Sequence, residues 1–185
     1  AERFLAAGCR RVVAVEPNPN AAEAIRQRLR PLLDAGRLTV DQRAVWHQPA
    51  DGCLPRATLY VNDEDSEWSS LLEPCGRRFN TDAHEVEVET TTLAALYEAH
   101  GQPGYIKIDV EGADGAVLRQ LRGLRPPPYL SFELNSMAWL REVADLGYDA
   151  FKIVAQKRHC AEDLVDEEGR PLTHSGAWGE AAEAA

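Results

Sequence analysis

Apolar residues along this chain follow two rhythms, unbroken or alternating short runs and one-face helical spacing, and the switches between them predict its elements. Val12–Glu16, VVAVE, is nearly all apolar, as in a parallel strand covered on both faces. It breaks at Pro17-Asn18-Pro19-Asn20, where Asn18 suits an N-cap and Pro19 a first helical residue. Ala22, Ile25 and Leu29 follow at helical spacing, with Arg26, Arg28 and Arg30 facing outward. Pro31 kinks or ends that helix, and Gly36 marks the turn after it. Leu38–Val45 predicts the next strand, its far half unsettled by Asp41 to Arg43. Ala57–Val61 and Val86–Thr90 alternate, the second with Glu85, Glu87 and Glu89 along one side. Each therefore has a solvated face and belongs at an edge or in antiparallel pairing rather than at a sheet centre. The polar, turn-rich stretch between them, residues 62–84, is long enough to be either functional or disordered.

Thr91–Gly101 predicts a short capped helix feeding the strand Tyr105–Val110. In that strand Ile106, Ile108 and Val110 point one way, and Lys107 and Asp109 the other. Two charges on a strand face must lie in water, be paired, or be at work. Gly112 turns the chain, Asp114 can cap, and Val117, Leu118 and Leu121 make a helix ending at Gly123. Tyr129–Leu134 is a further strand, and Asn135 or Ser136 caps a helix through Leu140, Val143 and Ala144 to Gly147. Phe151–Gln156 is the last expected strand, and residues 157–185 read as loop or tail. The alternation predicts one α/β domain over residues 1–185, with a doubly wound, mostly parallel sheet and an inserted hairpin. Phe4, Leu5 and Ala7 before Gly8 look like the last turns of a helix. With no initial Met, the chain reads as a piece of a longer one whose first strand is missing.

Composition narrows the function classes. The 185 residues carry a net charge of −10, with 2 basic against 10 acidic residues in 61–99. An acidic chain without a basic stripe is a poor partner for nucleic acid. No apolar run is long enough to span a bilayer, and no export signal is visible, so a cytoplasmic location is expected. Cys9, Cys53, Cys75 and Cys160 form no CxxC pair. Reduced thiols and no metal site are the expectation.

Acids stand at three predicted strand ends: Glu16, then Asp109 with Glu111, then Glu133. Ligands of open α/β sheets bind outside these carboxyl ends. A single such acid is adequately explained by the helix dipole that follows it, but three at one edge point to a shared site. A carboxylate in the position of Glu16 can accept hydrogen bonds from a ribose diol. Asp109 can contact a cationic or hydroxylated ligand, or remove a proton. Lys107 can pair with Asp109 or Glu133, or snorkel from the strand end.

VVAVEPNP, followed some ninety residues later by YIKIDVEGAD and then LSFEL, resembles the FkbM-type methyltransferases, a branch of the S-adenosylmethionine-dependent class I, Rossmann-like fold. The similarity runs from about Val12 to Gln156, and Ser69-Ser70-Leu71, VEVETTTLAAL and the C-terminal SGAWGE also resemble that family. The resemblance implies S-adenosyl-L-methionine as cofactor and a hydroxyl on a sugar or secondary metabolite as acceptor. It implies that Glu16 holds the ribose, Asn18 lies beside the adenosine, and Ala44 leaves room for the adenine. Asp109, with Glu111 close by, lies next to the transferring methyl, and Glu133 and Ser70 face the acceptor. Asp109 or Glu133 is the expected base, with Lys107 their partner. The class's D-x-G-x-x-x-G loop does not occur before Val12, so these 185 residues alone are expected to bind cofactor weakly or not at all. Two other classes stay open: a glycosyltransferase using the D-V-E pair for a divalent metal, and a non-catalytic interaction domain contacting partners through the acidic 61–99 segment.

Overall fold

The computed structural model describes residues 1–47 and 56–154. Helix α1 (Glu2–Ala6) ends in the left-handed turn of Gly8, at φ 98°, and leads to strand β1 (Val12–Val15). Asn18 then caps α2 (Pro19–Arg28), accepting from the N–H groups of Asn20 and Ala21, with Pro19 opening the helix. Pro31 does not simply end the helical run: it falls in the first turn of a second short helix, α3 (Arg30–Asp34). β2 (Leu38–Asp41) pairs in parallel with β1, Val12 opposite Leu38 and Val15 opposite Asp41. The strand expected at Leu38–Val45 is broken at Gln42–Arg43, and Ala44–Val45 forms a separate β3 in another sheet. Both oxygens of Asp41 turn back to the Arg43 guanidinium at 2.8 and 2.6 Å, a local pairing that bends the chain out of register.

β4 (Arg56–Asn62) and β5 (Ala83–Thr91) pair antiparallel across seven residues, Arg56 opposite Glu89 and Asn62 opposite Ala83. Their inward residues, Leu59, Val61 and Val88, form a core with Ala44, against which Leu71 and Val86 pack. The alternation thus finds its antiparallel partner, but β5 is not an edge. Its last residues, Thr90 and Thr91, pair in parallel with Ala44 and Val45, which makes it the middle strand of three. Residues 62–82 are ordered: a short helix α4 (Glu73–Gly76), flanked by 3₁₀ turns at Ser66–Trp68 and Arg78–Asn80, folds back so that Ser70 bridges to Tyr60.

α5 (Leu93–His100), capped by the Thr92 hydroxyl, leads to β6 (Tyr105–Ile108), then α6 (Asp114–Gln120), β7 (Tyr129–Phe132) and α7 (Ala138–Ala144). β6 and β7 are parallel, Tyr105 opposite Tyr129 and Ile108 opposite Phe132. Val117, Leu118 and Leu121 are the buried face of α6 and the turn after it, as their spacing predicts. Gly115 lets α7 approach, since a Cβ there would lie 2.8 Å from the Trp139 ring.

The fold is therefore mixed α/β with parallel strand pairs, present as three sheet pieces rather than one continuous sheet: β1–β2, β3–β5–β4 and β6–β7. Side chains connect the pieces. The Phe4 and Tyr105 rings lie 5.3 Å apart, and the Arg11 guanidinium donates to the His100 carbonyl. The chain divides into two units at Leu146/Gly147. Of the second, residues 147–154 are described and form no helix or strand, with Phe151 and Ile153 exposed. The strand expected at Phe151–Gln156 is thus not formed over 151–154, and its last two residues, like the expected tail 157–185, lie outside the described residues. Among the described residues no helix is long and apolar enough to cross a membrane.

Candidate functional site

The acids do stand at strand ends. Parallel register sets Ile108 beside Phe132, so Asp109 and Glu133 follow as the first residues beyond two adjacent strands. Glu16 follows Val15, and its N–H donates to the Asp41 carbonyl at 2.9 Å, carrying the β1–β2 ladder one residue further.

At the end of β1 the Glu16 carboxylate is half-buried, and Oε1 accepts from the Asn18 N–H at 2.9 Å. Burial raises its pKa above the ordinary value, and the Asn18 hydrogen bond offsets part of that. The side-chain oxygen of buried Asn18 is committed to the helix cap. Asn18 therefore aims Glu16 through its backbone and α2 through its side chain. Among the described residues Oε2 of Glu16 has no hydrogen-bond partner. Ala44 is buried in the β4–β5 core, so its backbone, rather than its methyl, is what a ligand could meet.

At the end of β6 the chain makes an uncommon turn. Glu111 adopts φ 48° and Gly112 φ 95°, two left-handed residues in succession. A left-handed non-glycine residue costs about 1–2 kcal/mol and persists where its surroundings over-determine it. Here they do. The Ser70 hydroxyl donates to the Glu111 carbonyl at 2.7 Å, and Arg78 Nη2 meets Glu111 Oε2 at 2.6 Å. Asp114, with 0% exposure, accepts from the N–H groups of Val110 and Gly112. Cys75 packs against Gly112 so closely that a Cβ there would lie 2.7 Å from its Sγ. The residues expected to share a site, Ser70, Lys107, Asp109 and Glu111, are thus brought to one turn, with Glu133 beside it. Burial raises the Glu111 pKa. The Arg78 hydrogen bond and charge lower it, and the charges of Asp109 and Glu133 raise it.

Lys107 and Asp109 are exposed and paired, Nζ to Oδ2 at 2.7 Å, on a strand whose Ile108 is buried. Among the described residues Glu133 accepts one long hydrogen bond, from Asn135 at 3.4 Å, which leaves it the most free acceptor capacity of the strand-end acids. Both carboxylates of the D-V-E pair already face a protein cation, Lys107 and Arg78, and so make a poor nest for a divalent metal. Ser70 is 1% exposed, with its hydroxyl spent on Glu111 and on the Leu72 N–H. Among the described residues, no hydrogen bond or ion pair links the Glu16 group to the Asp109 group.

Two participants escaped sequence reasoning. Arg78 is 33 positions from Glu111, and no periodicity marks it as a partner. Asp114 was expected to cap the helix ahead. It reaches back instead, because Ala113 occupies the N-cap and makes no side-chain bond. The only sequence signal was the small-residue run Gly112-Ala113 before it. His84 pairs with Asp63 at 2.6 Å, and His47 is exposed. His174 lies outside the described residues.

This α/β chain, with acids at the carboxyl ends of its parallel strands, is matched over residues 1–137 by a family model described as the methyltransferase FkbM domain. The chain belongs to that family. No match was found among curated proteins or solved structures.

Proposed function

We propose that this protein is an S-adenosylmethionine-dependent methyltransferase acting on a hydroxyl of a sugar or secondary metabolite, with its sheet pieces belonging to one doubly wound, Rossmann-like sheet. The observation that carries the reading is the half-buried Glu16 carboxylate, held by the Asn18 N–H through one oxygen and open at the other. That open acceptor fits a ribose diol, whose hydroxyls need acceptors that water does not already fill. Glu16 and Asn18 would hold the nucleoside, with the backbone at Ala44 alongside it, and Asp109 and Glu111 would flank the amino-acid end. The cofactor, when bound, supplies an electrophilic methyl group.

The work left to the chain is alignment and proton removal. Glu133 takes the acceptor proton at Oε1, since Oε2 is the atom bonded by Asn135. Lys107 fixes the Asp109 carboxylate so that its remaining oxygen orients the acceptor. Ser70 acts on the acceptor side through Glu111, whose carbonyl it holds.

The test is calorimetric titration of the full-length natural protein with S-adenosylhomocysteine, since these 185 residues alone are expected to bind it weakly or not at all. Binding is expected, and Glu16→Gln should weaken it about tenfold, the loss of one charged hydrogen-bonding acceptor. Because the Glu16 pKa is raised, affinity should begin to fall on acidification at a higher pH than an ordinary carboxylate would give. Absence of binding at millimolar ligand, together with no transfer of labelled methyl into a hydroxylated acceptor, overturns the reading.

A further inference from the structure

The segment between β4 and β5 does more than clamp the Glu111 turn. At its far end Phe79 stands 78% exposed, with φ 58° and ψ 24°. Left-handed backbone is uncommon for any residue with a Cβ and is a marked outlier for a bulky one. Asn80 beside it is also left-handed, at φ 61°. Buried polar groups impose it. Asn62, 3% exposed, donates to the carbonyl of Gly76 and to the Thr81 hydroxyl. Thr81 in turn donates to the Arg78 carbonyl at 2.7 Å, and Arg78 Nε to the Cys75 carbonyl at 2.8 Å. A buried network thus holds a phenyl ring out into water, against both the hydrophobic effect and the backbone preference.

The ring is not alone. Trp68 meets it edge to face, centroids 5.2 Å apart and planes 66° apart. One residue before Phe79, Arg78 reaches Glu111 at 2.6 Å. The aromatic pair is therefore continuous with the turn that carries Asp109 and Glu111.

We propose that Trp68 and Phe79 are the platform on which the methyl acceptor rests, and that the acceptor is a pyranose-type ring. This rests on the methyltransferase reading above and names its substrate class. The chemistry selects the ring. The negative face of an aromatic attracts the weakly positive C–H groups of a saturated ring. The hydroxyls on the rim of the same ring need the mixed donors and acceptors that Arg78 and the Glu111 carboxylate provide together. A flat aromatic ligand would cover the platform but bring few hydroxyls to the Arg78–Glu111 pair, and an open-chain polyol would bring hydroxyls but no ring face to the platform.

Saturation-transfer NMR on the natural protein tests this, with methyl β-D-glucopyranoside as probe, since its H1, H3 and H5 lie on one face. Glucitol and benzyl alcohol serve as controls, and S-adenosylhomocysteine affinity is measured in parallel. Saturation should enter H1, H3 and H5 preferentially. Phe79→Asn and Trp68→Ala should each weaken pyranoside binding roughly three- to tenfold, the range of aromatic contact energies, and leave cofactor affinity unchanged. Asn tolerates the left-handed conformation, so Phe79→Asn should keep or raise Tm, whereas a merely structural Phe79 would lower it. Equal binding of glucitol or of benzyl alcohol overturns the ring assignment, and unchanged pyranoside binding in both variants overturns the platform. Cofactor binding without pyranoside contact sinks this proposal alone. Pyranoside contact at Phe79 without cofactor binding leaves a saccharide site and sinks its role in methyl transfer.

Discussion

Replacing Asp114 by Ala removes the single acceptor of two N–H groups, those of Val110 and Gly112, at 3.4 and 3.3 Å. Hydrogen bonds of this length to a carboxylate sit at the weak end of the range, about 1 kcal/mol each, and the lost buried volume adds about another. The expected loss is about 2–3 kcal/mol, or a Tm lower by roughly 5–10 °C in a chain of this size. Denaturation in urea measures the loss, and amide exchange at Val110 and Gly112 should rise with it. The pH dependence is the sharper test. Burial raises the Asp114 pKa above 3.8, with its backbone hydrogen bonds opposing and the Asp109 charge assisting. From the unfolded pKa up to the folded one, the native state holds the extra proton, so stability falls as pH rises through that window. Asp114→Asn cannot ionise and lacks this slope. Its deficit relative to the natural protein should therefore shrink as pH climbs above about 4. A deficit that instead grows with pH means the carboxylate is stabilised as an anion, and the burial argument is wrong.

Gly112→Ala should cost about 1–2 kcal/mol for the left-handed backbone and a similar amount for the clash with Cys75 Sγ; adding Cys75→Ala should recover only the second part, and strict additivity in the double-mutant cycle would contradict the contact. Asn18→Ala should destabilise α2 by about 1 kcal/mol through the lost cap, read as a lower urea midpoint at unchanged m-value. Asp41 has a lowered pKa, chiefly from the Arg43 hydrogen bond, so its stabilisation is present above the unfolded pKa and lost as pH falls toward the folded one. Arg43→Ala should cost about 1–2 kcal/mol at pH 7 and progressively less below pH 4, and a pH-independent cost would show that packing rather than charge joins the pair.

Much was legible in the sequence because it depends on neighbours along the chain. Asn18 and Pro19 start α2 by local sterics and one side-chain oxygen, so four residues suffice to read them. The alternation of Val86 and Val88 with three glutamates specifies a one-sided strand wherever it pairs. Strand-end acids are likewise visible as soon as strands are, and the stretches that carry the family resemblance contain those same residues. Tertiary structure decided the rest, since it turns on which distant groups meet. No pattern says that Ser70 will hold a carbonyl 41 residues away, or that Arg78 will neutralise Glu111. The Asp41–Arg43 pairing splits a run that periodicity reads as one strand, and Thr90–Thr91 make β5 central by finding β3. Periodicity records which face of an element avoids water, a local free energy. The choice of partner depends on hydrogen bonds and charges desolvated only once the whole unit has closed around them.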